Sequence, residues 1–297
     1  MVIAFGLGVG ILIGLTGIGG GSLMTPLLVL FAGIPPTVAI GTDLAYGAVT
    51  KTLGGWRHLR KGTVDLGVSK WLAVGSVPGA LVGVWLLDVL QSAYGTSFQP
   101  VLLGAIAAAL LIVALTILGR ALFMPRLVAR EVESIDQTRR TKLQAVGIGA
   151  VLGLVLGVTS VGSGALIGLA LILVFKLTPH RVVGTDVFHA AILLWAAGLA
   201  HLVSGNVDFA LMGTILVGSL PGVLIGTHLV TRVPAGVLRP VLGCVLLGSA
   251  LGVLSKAGVA VPAGALVGVP LAVGLAAWLI QRARPARPAS DLEVVPA

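Results

Sequence analysis

The chain has 297 residues, 57% of them hydrophobic and only 10% charged, with a formal net charge of +9. Mean hydropathy is +1.10. A soluble domain is nearer a quarter charged, and apolar runs of about 20 residues, enough to span a bilayer, recur along the whole length. The composition therefore excludes a soluble domain, and the lack of period-2 alternation excludes a closed β-barrel. An all-α polytopic membrane protein is expected. The basic residues cluster in short hydrophilic loops and at the C-terminus, which reads as orientation by the positive-inside bias, with no nucleic acid as partner. Cys244 is the single cysteine, so no internal disulfide can form. The N-terminus has no basic n-region and no small-residue cleavage site, and is expected to belong to the first membrane segment.

In chain order, residues 1–32 are one apolar segment, long for one crossing and short for two. GIGGG (Gly17–Gly21) interrupts it, and Pro35-Pro36 ends it. Helices are expected over about 37–59, 66–87 and 100–118, with Asp88–Gln99 as a loop between the last two. Arg120–Lys142 is the longest hydrophilic stretch, with six basic and three acidic residues. Residues 143–175 form a second interrupted apolar segment, broken at GVTSVGSG (Gly157–Gly164). Helices are expected over about 180–203, 207–230, 236–254 and 259–280, followed by a Pro-rich charged tail read as disordered.

The interrupted segments are copies of each other. Residues 14–88 and 157–231 align at an offset of 143 without a gap, and 26 of the 75 pairs are identical. Gly41-Thr42-Asp43 matches Gly184-Thr185-Asp186. His58-Leu59 with Gly62–Asp65 matches His201-Leu202 with Gly205–Asp208, and GSVPGALVG matches GSLPGVLIG. The duplication divides the chain into a first transmembrane repeat (1–119), a cytoplasmic basic linker (120–142), a second repeat (143–256), an additional helix (257–281) and a cytoplasmic tail (282–297).

Charge sets the expected topology. The loop with Arg57, Arg60, Lys61 and Lys70 is basic, while its equivalent around His201–Asp208 has no Lys or Arg. The loop at Asp88 has none either, while its equivalent carries Arg232 and Arg239. Equivalent loops of opposite charge imply inverted repeats, a recurring transporter architecture. Lys176, His180 and Arg181 share the inside with the linker and with Arg282, Arg284 and Arg287. Segment 143–175 is therefore expected to enter and leave on one face, as a re-entrant hairpin or two steep crossings, and residues 1–32 to do the same from the outside.

A glycine break followed by a new helix leaves free N–H groups that attract anions. Thr16, Gly19, Gly20, Gly21 and Ser22 in one half, and Thr159, Ser160, Gly162, Ser163 and Gly164 in the other, are the candidate ligands. Thr42 and Thr185 are placed close by. The competing reading is close helix packing through small residues, as for Gly6, Gly10 and Gly14 at four-residue spacing. Carboxylates at membrane depth are costly, about 2.5–3.5 kcal/mol or more, and so expected to be useful. Asp43 and Asp186 could carry a coupling proton, hold N–H groups of the broken helices, or cap helix ends. His189 lies one turn beyond Asp186, and Lys51, two turns past Asp43, is a candidate counter-charge; these four are the coupling or gating candidates. The paired His58 and His201 read as loop-capping positions. No metal-ligand spacing and no catalytic triad can be argued, so no cofactor and no enzyme activity are expected.

The GIGGGSLMTPLL stretch, the repeated G-T-D with Ala five residues on, the H-L-x-x-G-x-V-D turn and the GSxPGxLxG helix resemble the sulfite exporter TauE/SafE family over about residues 4–256. The resemblance implies a bacterial inner-membrane carrier of small sulfur-containing anions such as sulfite, thiosulfate, sulfoacetate and other sulfonates. It also implies more varied polar residues, often Asn or Ser, at positions 43 and 186. The reading is a secondary transporter, an exporter, working by alternating access between inverted halves. Its partners would be the anion, the bilayer and protons as coupling ion, with oligomers compatible. The alternatives are a cation- or proton-coupled carrier of another small organic anion, and an intramembrane enzyme using His189 with Asp186.

Overall fold

The structure, a computed structural model, describes residues 1–16, 21–123, 132–229 and 235–282. These residues form α1 (Val2–Thr16), α2 (Gly21–Phe31), α3 (Pro36–Arg60), α4 (Leu66–Tyr94), α5 (Gln99–Phe123), α6 (Arg139–Thr159), α7 (Ala165–Leu173), α8 (Pro179–Val203), α9 (Phe209–Leu229), α10 (Ala235–Lys256) and α11 (Ala263–Arg282). No strand occurs among the described residues; a single bridge joins Val132 and Leu177. Five continuous helical stretches among them are long and apolar enough to cross a membrane. The expected polytopic all-α architecture is present. Arg232, Arg284, Arg287 and most of the linker's centre lie outside the described residues.

Helix boundaries follow the local chemistry, with one difference from expectation. The sequence suggests a loop from Asp88, yet α4 runs on to Tyr94 and a short 3-10 turn, Gly95–Phe98. No Gly or Pro lies between Gly83 and Gly95, and the chain turns only where Gly95 takes a positive φ of 55°. Asp88 is thus a helical residue, and its carboxylate accepts hydrogen bonds from Ser204 and from Asn206, the latter at 3.0 Å. The repeated H-L-x-x-G-x-V-D stretch is a complete helix–turn–helix signal. Gly62 and Gly205 take left-handed φ values of 66° and 74° after α3 and α8. Asp65 and Asp208 then cap the next helices, each accepting a backbone N–H at 2.9 Å, from Val68 and Leu211.

The halves are interlocked. The first helix of each half packs along the fourth helix of the other: α1 on α9, and α6 on α4. Glycines line both contacts. Gly6, Gly10 and Gly14 meet the Gly218, Gly222 and Gly226 side of α9, and Gly75, Gly79 and Gly83 meet the Gly149, Gly153 and Gly157 side of α6. A Cβ at Gly83 would lie 2.6 Å from the Leu154 carbonyl oxygen, and one at Gly157 would lie 2.5 Å from that of Ala80. Backbones approach this closely only when both faces lack side chains. In lipid, where apolar burial gives no drive between helices, such contact is a main source of association.

The contact register fixes directions. Contacts advance together along α1 and α9 and along α4 and α6, so each pair is parallel. Gly55 meets Phe188 while Gly198 meets Ala45, so α3 and α8 are antiparallel. Thr52 and Trp195 occupy equivalent positions and meet each other, the indole N–H donating to the Thr52 hydroxyl at 2.8 Å, so a local two-fold passes through this contact. Along α4 and α8, Asp65 meets Thr185 and Ser76 meets His189, so this pair is parallel. The equivalent α9 and α3 behave alike, through Asp208 with Thr42. It follows that α1, α9 and α3 share one sense. The intervening α2 brings the chain back, lying against α3 where Thr25 meets Asp43.

One end of the molecule gathers the basic loops. Arg181 donates to the Val64 carbonyl at 2.9 Å, Val132 N–H donates to the Lys176 carbonyl at 2.9 Å, and Glu133 meets His180 at 3.3 Å and Arg181 at 3.5 Å. The Arg60 guanidinium stacks on Trp56, and the Lys142 ammonium on Trp71, pairings typical of a membrane interface. The Asp88–Ser204–Asn206 cluster marks the opposite end.

The glycine contacts predict a steep positional contrast. Gly83→Ala should destabilise the detergent-solubilised protein by about 1–3 kcal/mol, the range for overpacking. Gly104→Ala, where a Cβ meets nothing within 4 Å, should leave stability unchanged or raise it by up to about 1 kcal/mol. Thermal unfolding of the two variants, read by tryptophan fluorescence, checks this.

Candidate functional site

The second-half helix break is the best-defined part of the interior. Helix α6 ends at Thr159, whose hydroxyl donates to the Val155 carbonyl at 2.7 Å and accepts the Val161 N–H at 3.2 Å. Ser160 is left-handed at φ 59°, and Gly162 follows at φ 120°, a value side chains rarely adopt. Gly164 precedes the first residue of α7. The freed Gly157 carbonyl receives the ring N–H of the fully buried His201, at 3.0 Å, so this histidine closes the end of α6. Its counterpart His58 instead pairs with Thr63 within its own loop, at 2.9 Å.

Asp43 joins the two halves at this depth. It is 1% exposed. One of its carboxylate oxygens, Oδ2, accepts from Thr25 on α2 at 2.6 Å and from Ser160 in the opposite break at 2.9 Å. Its other oxygen is buried with no hydrogen-bond partner. Asp186 is likewise buried, lies against the backbone N–H of Gly164, and has one oxygen unpartnered. Asp43 thus meets the second broken segment through the Ser160 hydroxyl, and Asp186 meets it through the Gly164 backbone N–H. Lys51 is 8% exposed, its ammonium makes no hydrogen bond, and it interacts electrostatically with Asp186 first and Asp43 second. His189 Nε2 and the Ser76 hydroxyl lie 3.2 Å apart on α8 and α4.

The remaining candidates divide. Ser22 is buried near the start of α2 with its hydroxyl unpartnered, and Ser163 is buried in the second break. Gly21 is the first residue of α2. Gly19, Gly20 and the Thr16 side chain lie outside the described residues. Thr42 and Thr185 have a different environment from the one expected. The Thr185 hydroxyl accepts the Asp65 N–H at 2.8 Å, and that of Thr42 accepts the Asp208 N–H at 3.0 Å. Gly41 and Gly184, each one residue earlier, lie under the backbones of Asn206 and Thr63. The Gly-Thr pair of each G-T-D therefore grips the opposite half's turn, and only the Asp faces the breaks.

Sequence reasoning missed Thr25, Tyr46 and the pair Ser76 and Ser219. The two serines carried a signal, being identical across the repeat. Thr25 carried none, because its counterpart is Gly168. Among the described residues no group of three or more His, Cys, Asp or Glu could hold a metal ion.

Crossed apolar helices around a buried polar centre define a polytopic membrane protein. The comparisons agree: residues 2–253 match the family described as "Sulfite exporter TauE/SafE", and the chain belongs to that family. It is 38% identical over 250 residues to the probable membrane transporter protein YjnA of Bacillus subtilis, covering 84% of this chain and 97% of that one. It is 28% identical to YdhB of the same organism, covering 77% and 89%. A probable membrane transporter protein of Xylella fastidiosa is 26% identical, covering 86% and 95%. No solved structure matches the chain.

The threonine grips make a matched prediction. Thr42→Val and Thr185→Val each strand a backbone N–H that now has its partner, which costs about 1–3 kcal/mol. The two variants should lose similar stability in chemical denaturation, because the sites are equivalent. A loss in one alone would contradict the shared role.

Proposed function

We propose that this membrane transporter is a secondary carrier that exports a small sulfur-containing anion, sulfite or an organosulfonate, by alternating access between its two halves. The observation that carries the reading is the Asp43 carboxylate, which takes Thr25 from one half and Ser160 from the other half's helix break on a single oxygen. A group that ties both halves together at a break, beside an unpaired buried ammonium, sits where a substrate can bias the packing of one half against the other. Family membership supports the substrate class. In this reading the breaks at Gly19–Ser22 and Gly162–Gly164 offer N–H groups to the anion, Lys51 supplies the opposite charge, and Asp43, Asp186 and His189 serve coupling or gating. No ATP-binding motif is present in the sequence, so in this reading a gradient, the membrane potential or an external partner drives transport. The collected basic loops are assigned to the cytoplasmic face of a bacterial inner membrane, with the C-terminus inside.

The test is flux in liposomes containing the purified protein, challenged with sulfite, thiosulfate, sulfoacetate and acetate, with and without a pH gradient. A saturable response to at least one sulfur anion is expected. Lys51→Met should lower it by about tenfold or more, the scale for removing one partner of a desolvated charge pair, and Lys51→Arg should retain more of it. Folded, inserted protein that moves none of the sulfur anions would sink the proposal.

A further inference from the structure

A groove runs along the outer surface at the seam between the halves. It lies between α4 and α8 and has a volume of about 520 Å³. Leu66, Lys70, Val74 and Pro78 wall it on one side, Phe188 and Ile192 on the other. The two helices meet through buried groups, Asp65 with Thr185 and Ser76 with His189. Leu66, Val74 and Ile192 are exposed, so the groove opens toward the lipid.

Its length matches one leaflet. Leu66 to Pro78 is about 18 Å of helix at about 1.5 Å per residue, against about 30 Å for a whole hydrocarbon core. A transmembrane helix of a second copy is longer than the groove, whereas one acyl chain is not. Polarity is confined to the Leu66 end. Lys70 lines that end, its ammonium 5.9 Å from the Trp71 ring, and the Lys142 ammonium lies 5.1 Å from the same ring. Indole and ammonium together mark headgroup depth. Among the described residues neither lysine has a carboxylate partner. Ser69 also lines the groove; it is 1% exposed and its hydroxyl has no hydrogen-bond partner. Every other wall residue is apolar.

The duplication does not copy this arrangement. The counterparts of Ser69, Lys70 and Phe188 are Met212, Gly213 and Ala45, whereas Ser76 and Thr185, which join the helices, recur as Ser219 and Thr42. The charged end is therefore no requirement of the scaffold.

We propose that this groove is a binding site for an anionic phospholipid, with one acyl chain along Val74, Pro78, Phe188 and Ile192 and the phosphate at Lys70 and Lys142. The Ser69 hydroxyl donates to an oxygen of the same lipid. Basic pockets between membrane helices recognise acidic headgroups in this way. A zwitterionic lipid offers the same chains but brings its own cation to the two ammonium groups. The lipid bridges the halves, since α4 belongs to one and α8 to the other. The site is independent of what the carrier moves.

The test is native mass spectrometry of the full-length protein in detergent micelles, titrated with phosphatidylglycerol and phosphatidylcholine of identical chains. The wild type should retain phosphatidylglycerol in preference by about fivefold to thirtyfold, the scale for one or two lysines beside anionic lipid. Lys70→Gln should lower that preference by about fivefold. Lys61→Gln, in the turn after α3 and not lining the groove, should leave it unchanged. Both lysines are exposed, so neither variant puts folding at stake. Val74→Trp, which fills the groove from an exposed wall, should reduce retention of both lipids. Equal retention of the two lipids by the wild type overturns the inference. An equal loss from Lys70→Gln and Lys61→Gln also overturns it, leaving general surface attraction. A dimer that forms without lipid and is broken by Val74→Trp overturns it as well, and makes the groove an interface between copies.

Discussion

The structure depends on backbone meeting backbone along two parallel helix pairs. Within a bilayer, helices gain nothing by hiding apolar surface from one another, so association needs close contact and the weak attractions that come with it. Glycine at every fourth position on both partners supplies this on α1 with α9 and on α4 with α6. The consequence is topological as well as energetic. Each pair joins the two halves, so neither half has a complete packed core of its own. The α3–α8 crossing lies between these pairs, and α5 with α10 completes the cross-half packing.

This interlock explains why polar chemistry survives at the centre. Irregular backbone at membrane depth persists only where protein or water satisfies it. Here the α6 break is enclosed: His201 takes the Gly157 carbonyl, Thr159 takes the Val161 N–H, and Ser160 turns to Asp43. Asp43 is itself held by Thr25 of α2. The polar groups are thus braced across the interface between halves. A rearrangement of one half against the other must remake these contacts.

How much of this was legible in the sequence depends on what each residue touches. The helices, the duplication and the break between α6 and α7 were legible, because hydropathy and glycine placement are local signals. So was the H-L-x-x-G-x-V-D turn, since a left-handed glycine followed by a capping aspartate acts within its own loop. The partners of the G-T-D motif were not. Thr42 and Asp43 are adjacent in sequence and both polar, yet a helix turns successive side chains about 100° apart. One grips the Asp208 turn while the other faces the breaks. The end of α4 was misjudged because Asp88 resembles a surface residue, and its partners Ser204 and Asn206 are more than a hundred positions away. Long-range pairings of this kind leave no periodicity to read.

The duplication also separates what is fixed from what is free to vary. Glycines at the crossed contacts recur in both halves, because any side chain there collides with a carbonyl. The G-T-D grip on the opposite turn recurs for the same steric reason. Around the polar centre Asp43 and Asp186 still match, as do Ser76 and Ser219, but elsewhere the equivalence fails: the counterpart of Lys51 is Leu194, of Tyr46 His189, of Thr25 Gly168, and of Ser160 Gly17. A carrier built only from symmetry would hold two equal sites, one per half. Here the scaffold is two-fold and the carboxylates Asp43 and Asp186 follow it, while the ammonium of Lys51 is not duplicated. Lys51 lies on α3 beside the contact where the equivalent residues Thr52 and Trp195 meet, close to the two-fold itself, where symmetry leaves room for one such group rather than two.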